Sequence, residues 1–352
     1  MTPMVKLNQQ KAFFSGFLIL MFFSFTGLSA QTPDGMQIRK IWDGAQHSAF
    51  TDLLYFKGAF YCSFREGSGH IPGTDGTVRI LRSADGRSWT SVADIRKEGI
   101  DLRDPKLSIT PKGRIMVIMG GSIYRNGKIE GRKPQVSFSD GKGGNFSAPE
   151  EVKIDPSIVS WGDWLWRVTW HKGTGYTIDY QIGPEERKGP TAMYLLKTKD
   201  GKKFEKVSKI DLDGFPNEAT VRFAPDGKMH VMIRRETADQ MGVWAVSEAP
   251  YTDWKYSKMN IRLGGPNFIF TPGGKIIAGT RVYTPGIYTA LFTGTPEGNF
   301  KELVSFPSSG DNSYPGLVIQ DDRLWVSYYS SHEGKSSVYI VEIPMKSLEP
   351  KL

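Results

Sequence analysis

The ends of the short apolar runs in this chain carry a recurrent set of arginines, carboxylates and phenols. In order they are Asp52 with Arg65 and Glu66, then Arg103 and Asp104, then Asp163, Trp164, Trp166 and Tyr180. The series continues with Glu218, Arg234, Arg235 and Glu236, then Asn267 and Arg281, and closes with Tyr314, Tyr328, His332 and Glu333. Taken singly, each charged residue is what any wet strand end displays. Several arginines gathered with acids and phenols are a different matter. Like charges repel unless an anion binds between them, and the planar guanidinium fork matches a carboxylate. The chemistry implied is recognition of a carboxylated ligand.

The elements that must position these groups are hairpins. Ala219 to Phe223 and Met229 to Ile233 are runs of β-type residues joined by Pro225-Asp226-Gly227, and Asp-Gly supplies the positive-φ positions of a tight turn. Five further hairpins turn at Gly58, Gly113, Gly173, Gly274 and Asp322. Successive turns lie roughly fifty residues apart, the period of a propeller whose blades each hold one hairpin plus further strands. The prediction is an all-β fold, a six-bladed β-propeller of four-stranded antiparallel blades. In a propeller the first residues of each inner strand and the last residues of the second emerge on one face, so the polar ends collect at one mouth. Residues 37 to 43 form a lone strand, and Ser337 to Ile343 has no partner after it. Pairing the two closes the ring and hides two sheet edges.

The chain begins with Lys6 and Lys11, an apolar block from Phe13 to Phe23, and Gly27-Leu28-Ser29-Ala30 before Gln31. This reads as a signal peptide over residues 1–30, with a cut after Ser29 or Ala30 and residues 31–352 as a single propeller domain. The expected product is soluble and secreted, periplasmic in a Gram-negative host, with no stable membrane anchor. The net charge of +8 is spread among acidic residues without a Lys/Arg stripe, which argues against nucleic acid as a partner. Cys62, the single cysteine, lies in an apolar strand run and reads as a small buried hydrophobe. Histidines 47, 70, 171, 230 and 332 lack paired metal-ligand spacing, so neither metal nor cofactor is expected. Trp161, Trp164, Trp166 and Trp170 read mainly as core, with alternation that lets one ring reach the mouth and stack on a sugar. The sequence leaves the oligomeric state open.

Two turns between outer strands, Ser83-Ala84-Asp85-Gly86-Arg87-Ser88-Trp89 and Thr198-Lys199-Asp200-Gly201-Lys202-Lys203-Phe204, share Ser/Thr-x-Asp-Gly-x-x-aromatic. Their aspartates suit bonding to their own turn backbone. These turns resemble the Asp-boxes (BNR repeats) of the sialidase (neuraminidase) superfamily of six-bladed propellers, whose usual box is one residue longer. Pro216-Asn217-Glu218 with the hairpin ending in Arg234 resembles that family's Glu-then-Arg segment. Ser313-Tyr314 before Leu317-Val318-Ile319 resembles the segment of its nucleophilic Tyr.

The resemblance implies that Glu218 activates Tyr314 as a nucleophile. A neutral phenol suits a substrate whose own carboxylate would repel a carboxylate nucleophile. It also implies that Arg234 and Arg281 bind the substrate carboxylate. The family's acid/base Asp falls on a loop where this chain has Asp75, with His70 as a competing proton donor. The remaining candidates for substrate binding are Arg65, Arg103, Asp104 and Trp164. One departure stands out: the family opens its first inner strand with Arg-Ile-Pro, whereas this chain has His47-Ser48-Ala49-Phe50-Thr51, leaving Arg65 or Arg103 to supply the charge. The function implied is an exported retaining exo-glycosidase that removes an acidic terminal sugar from a glycan. A non-catalytic glycan-binding propeller and a polysaccharide lyase are the alternatives.

Overall fold

A computed structural model describes residues 33–71, 76–184 and 192–352. Residues 1–30, read above as a signal peptide, and Asp75 lie outside the described residues. Six antiparallel sheets form the blades of a propeller, each built on a four-stranded plan. Blade one runs His47–Phe56, Ala59–Gly67, Thr77–Ser83 and Thr90–Ile95, and blade four Pro216–Phe223, Met229–Arg235, Met241–Ser247 and Lys255–Arg262. All six expected hairpins form, and in blade four Ala219 pairs with Ile233 and Phe223 with Met229 around Gly227, whose φ is 86°. The closure forms as well: Gln37–Trp42 pairs antiparallel with Ser337–Pro344, Gln37 opposite Glu342.

Two blades elaborate the plan. In blade two the long strand Ile115–Arg125 folds back through Lys128–Arg132 before Gln135–Phe138, while the outermost strand shrinks to Glu150–Glu151. In blade three the inner strand is split into Asp163–Leu165 and Thr169–His171, and Lys153–Ile154 adds a parallel edge to Lys203–Lys209.

Apolar side chains fill the spaces between neighbouring blades, not within them. Met232 and Trp244 of blade four meet Phe268 and Ala278 of blade five, while Ile277 and Leu291 of blade five meet Leu317 and Val326 of blade six. Between blades six and one, Trp325 and Val338 meet Leu53 and Cys62. Cys62 is fully buried there and burial pushes its thiol far up, as its apolar setting in sequence implied. The outer turns lean on the preceding blade. Asp85 accepts the backbone N–H groups of Arg87 and Ser88, which pull its carboxyl down to about 2. Gly86, at φ 71°, lies so close to Trp325 of blade six that a Cβ would stand 2.3 Å from its ring. These aspartates tie their own turns and stand at the rim, away from the mouth.

Along the axis the inner strands have no further strand to pair with, and side chains stitch them instead. Thr51 Oγ1 donates to the Tyr314 carbonyl, and the Leu107 N–H donates to Asp52, both at 2.7 Å. Asp52 is completely buried and also takes Arg167 Nη1 at 2.6 Å. Removing one partner of such a pair strands the other charge, at a cost of about 3–5 kcal/mol. Asp52→Ala is therefore expected to lower the unfolding free energy by about that amount in urea titrations, with a loss under about 1 kcal/mol counting against the pair. A chain starting at Gly44 loses the closing strand and exposes an edge. It is expected to melt well below the full ring and to aggregate, and an unchanged Tm by circular dichroism would refute the closure.

Candidate functional site

The mouth holds a cavity of about 250 Å³. Four inner strands enter it through the same device. Ladders break between Ala49 and Asp52, Arg103 and Lys106, Asn217 and Ala219, and Ser313 and Gly316. Such a bulge turns the extra residue out of the sheet and re-aims its side chain. Phe50, Asp104 and Tyr314 take positive φ values of 64°, 47° and 53° at three of these points, and Glu218 sits within the break between Asn217 and Ala219. Non-glycine residues held there cost about 1–3 kcal/mol each and persist only where the surroundings fix them. Tyr314 is fixed by an edge contact with Phe50, a tilted one with Trp166 and the flat face of Gly265, where a Cβ would come within 2.4 Å of its ring.

Tyr314 Oη donates to Glu218 Oε1 at 2.5 Å, Arg234 Nη1 reaches the same oxygen at 2.7 Å, and the Gly265 N–H donates to Oε2 at 2.8 Å. Burial pushes the Tyr314 phenol well above its usual range, and the Glu218 charge adds to the shift. For Glu218 burial acts upward too, but the Arg234 charge and the bonds from Tyr314, Arg234 and Gly265 outweigh it and hold the carboxyl below its usual range. The resting pair is thus a neutral phenol on an ionised carboxylate, the arrangement a base needs before it takes a proton. Arg234 also pairs with Glu236, which fixes the guanidinium between two acids.

Of the sequence candidates, Glu218, Tyr314, Arg103, Asp104, Arg234, Arg281, Trp164 and His70 all line this cavity. Arg65 does not: it is fully buried behind the mouth, with Nε on Asp101 at 2.7 Å and Nη1 on the Gly69 carbonyl. Arg103 stands over Phe50, 5.1 Å from its ring, so it is the arginine placed beside the strand opening that lacks one. Asp104 is pushed upward by burial, against Arg103 and Lys106, and its Oδ1 accepts no hydrogen bond among the described residues. Trp164 is the ring of its cluster that reaches the cavity, lying against Gly120, while Trp166 is buried beneath Tyr314.

The sequence reading placed Tyr328, His332 and Glu333 at the mouth. Instead Tyr328 is buried with its hydroxyl on the Pro307 carbonyl, His332 bonds Ser330, and Glu333 pairs with Lys40 at the rim. Residues it missed are Tyr124 and Arg132 on the extra arm of blade two, and Tyr329 and Asp311 of blade six. It also missed Lys106, which lies buried 4.8 Å from the Trp166 ring and 5.4 Å from that of Tyr314 and is driven down to about 8 by burial. The extra arm had a signal in Tyr124-Arg125-Asn126-Gly127-Lys128, whose Asn-Gly is a hairpin turn.

No family model matches this sequence, and no curated protein matches it. Solved structures do share the ring. A Dyadobacter fermentans protein of unknown function superposes with a TM-score of 0.76 at 18% identity, over 88% of this chain and 100% of that one. Trypanosoma rangeli sialidase in complex with the inhibitor DANA superposes at 0.71 with 11% identity, over 91% of this chain and 61% of the sialidase. The NanB sialidase of Streptococcus pneumoniae gives 0.68 at 11% identity, over 88% and 71%. The chain thus spans about three fifths of the trypanosomal enzyme's length. The fold is that of the sialidase propellers.

The depressed Glu218 carboxyl has a consequence for stability. A folded value below the unfolded one contributes stability that is fully present above the ordinary Glu value near 4.5 and is lost as pH falls from there through the folded value. Wild type is expected to lose stability more steeply than Glu218→Gln on acidification below about pH 5. Parallel urea midpoints for the two proteins across that window would contradict the shift.

Proposed function

We infer that this protein is an exported, sialidase-like retaining exo-glycosidase that removes an acidic terminal sugar from glycans. The observation that carries the reading is the 2.5 Å bond from Tyr314 to Glu218, held by Arg234 inside a mouth lined by further guanidiniums. Glu218 takes the phenolic proton as Tyr314 Oη attacks the anomeric carbon. The glycosidic C–O bond breaks, and the leaving oxygen takes a proton from the acid, assigned to Asp75. Ile71, the last described residue before that segment, lines the mouth. Water then cleaves the tyrosyl–sugar bond with the proton flow reversed. Arg234, Arg281 and Arg103 bind the sugar's carboxylate, and Trp164 offers an apolar face.

A cavity of about 250 Å³ lies just below the usual span of ligand pockets, roughly 300–1,000 Å³, which favours one terminal sugar over a long chain segment. The basic, then apolar, start of the sequence supports export, to the periplasm in a Gram-negative host. A second reading, glycan binding without turnover, draws on Phe50 standing at the strand opening where sialidases carry an arginine.

Turnover on a panel of sialylated and other acidic glycans separates the two. Tyr314→Phe is expected to abolish nearly all hydrolysis with ligand affinity within a few-fold of wild type, since only the hydroxyl is lost. Glu218→Gln should behave likewise, and the double variant should be little worse than either single one. Full activity in Tyr314→Phe would sink the mechanism. Binding with no release from any glycan by wild type would favour the second reading.

A further inference from the structure

Beside the mouth, at the seam where blade six meets blade one, three side chains converge. His47 Nε2 lies 2.8 Å and His70 Nδ1 2.6 Å from the same carboxylate oxygen, Asp311 Oδ2. One ligand atom from each residue falls within 4.8 Å of the others. Sequence spacing hides the set because the two histidines sit at opposite ends of one hairpin, where His47 pairs with Gly67, and the aspartate comes from the far end of the chain. We propose that His47, His70 and Asp311 form a divalent-cation site, suited to zinc, with its open coordination position toward the mouth.

The donor set is that of an open zinc site, two imidazoles and a carboxylate with a fourth position for water or ligand. Zinc bonds of about 2.0–2.2 Å in a tetrahedron need donor atoms roughly 3.3 Å apart, so the carboxylate contacts must widen by about 0.5–0.7 Å and the histidine nitrogens, within 4.8 Å of one another, settle to the same spacing. The supporting groups are already in place. Asp311 Oδ1, the oxygen turned away from the histidines, takes Tyr329 Oη at 2.7 Å and Arg281 Nη2 at 3.4 Å. Hydrogen bonds of this kind orient a ligating carboxylate. Phe50 packs edge-on against His70 at 5.0 Å and against His47 at 5.9 Å, which holds both rings in the converging pose. His47 is nine-tenths buried and His70 about half exposed, so the cluster has a rigid floor and an open side. His70 lines the cavity of Tyr314 and Arg281, and a bound cation would add positive charge to the wall of blade one, which offers an anion no arginine of its own.

The test uses the metal alone and no glycan, so its outcome is independent of the hydrolase reading. Chelator-treated mature protein is titrated with zinc chloride by calorimetry and followed by thermal melting. The expected result is one saturable site with a Kd of micromolar or below and a Tm that rises with zinc, as for any ligand bound only by the folded state. His70→Ala, at a half-exposed position, should keep the zinc-free Tm while losing affinity by about a hundredfold or more, and Tyr329→Phe should lose about 10–100-fold through the carboxylate it orients. Asp311→Asn should lose zinc affinity to the same extent. Equal zinc affinity in wild type and His70→Ala, or no saturable binding by wild type below about millimolar zinc, would overturn the proposal and leave the cluster a hydrogen-bonded tie between blades.

Discussion

An inner strand of a propeller has a sheet partner on one side only. Its other edge faces the axis, where backbone groups are out of water and must still be satisfied. Five of the six seams answer with a side chain that bonds a backbone group opposite, and the seam between blades two and three joins two side chains. Thr51 crosses to the Tyr314 carbonyl, Asp52 to the Leu107 N–H, and Trp170 to Ser108. Thr169 crosses to Val221, Thr220 to Pro266, and Asn267 to Pro315. These bonds set how closely the blades approach, and so where the strand openings lie around the mouth. Tyr314 shows the coupling: its carbonyl belongs to the seam and its hydroxyl to the site.

The site is built on departures from regular strand geometry. A strand alternates sides, so a chain that merely continued its ladder could not send both its opening residue and the stitch below it inward. The bulges break that parity. Pro105 and Pro315 occupy two of them, which suits a position where no ladder bond is made and the missing N–H is no loss. Glu218 is then compressed between a donor phenol, a guanidinium and a backbone N–H, all directed at its two oxygens. Buried charge of this kind is tolerated only when its partners are fixed, and Glu236 on the far side of Arg234 provides that fixation.

The hairpins and the gathering of Glu218, Tyr314, Arg103, Arg234 and Arg281 at the mouth were legible from short-range signals, β-type runs, Asp-Gly turns and polar strand ends, and the ring closure from two end strands left without partners. What failed failed at the bulges and beyond the strands. Tyr328 and Tyr329 are adjacent, and strand parity sends the first into the slab with Phe306 and Tyr339 and the second to Asp311. A choice between them needs the register, which the bulge between Ser313 and Gly316 shifts. Arg65 ends a second strand as expected, yet Asp101 from the next blade draws it behind the mouth, a contact no local pattern records. Asp311 precedes its strand, and Lys106 follows a bulge, so neither stood where strand ends were sought.

The closing strand also imposes an order on assembly. Gln37–Trp42 precedes all six blades in sequence and its partner Ser337–Pro344 follows them, so this long-range pairing closes only once every blade has been made. The same seam holds Phe50 against Tyr314 and His47 against Asp311. The mouth therefore shares its seam with the ring closure. A chain still emerging carries every arginine that lines the mouth before it has the ring that gathers them.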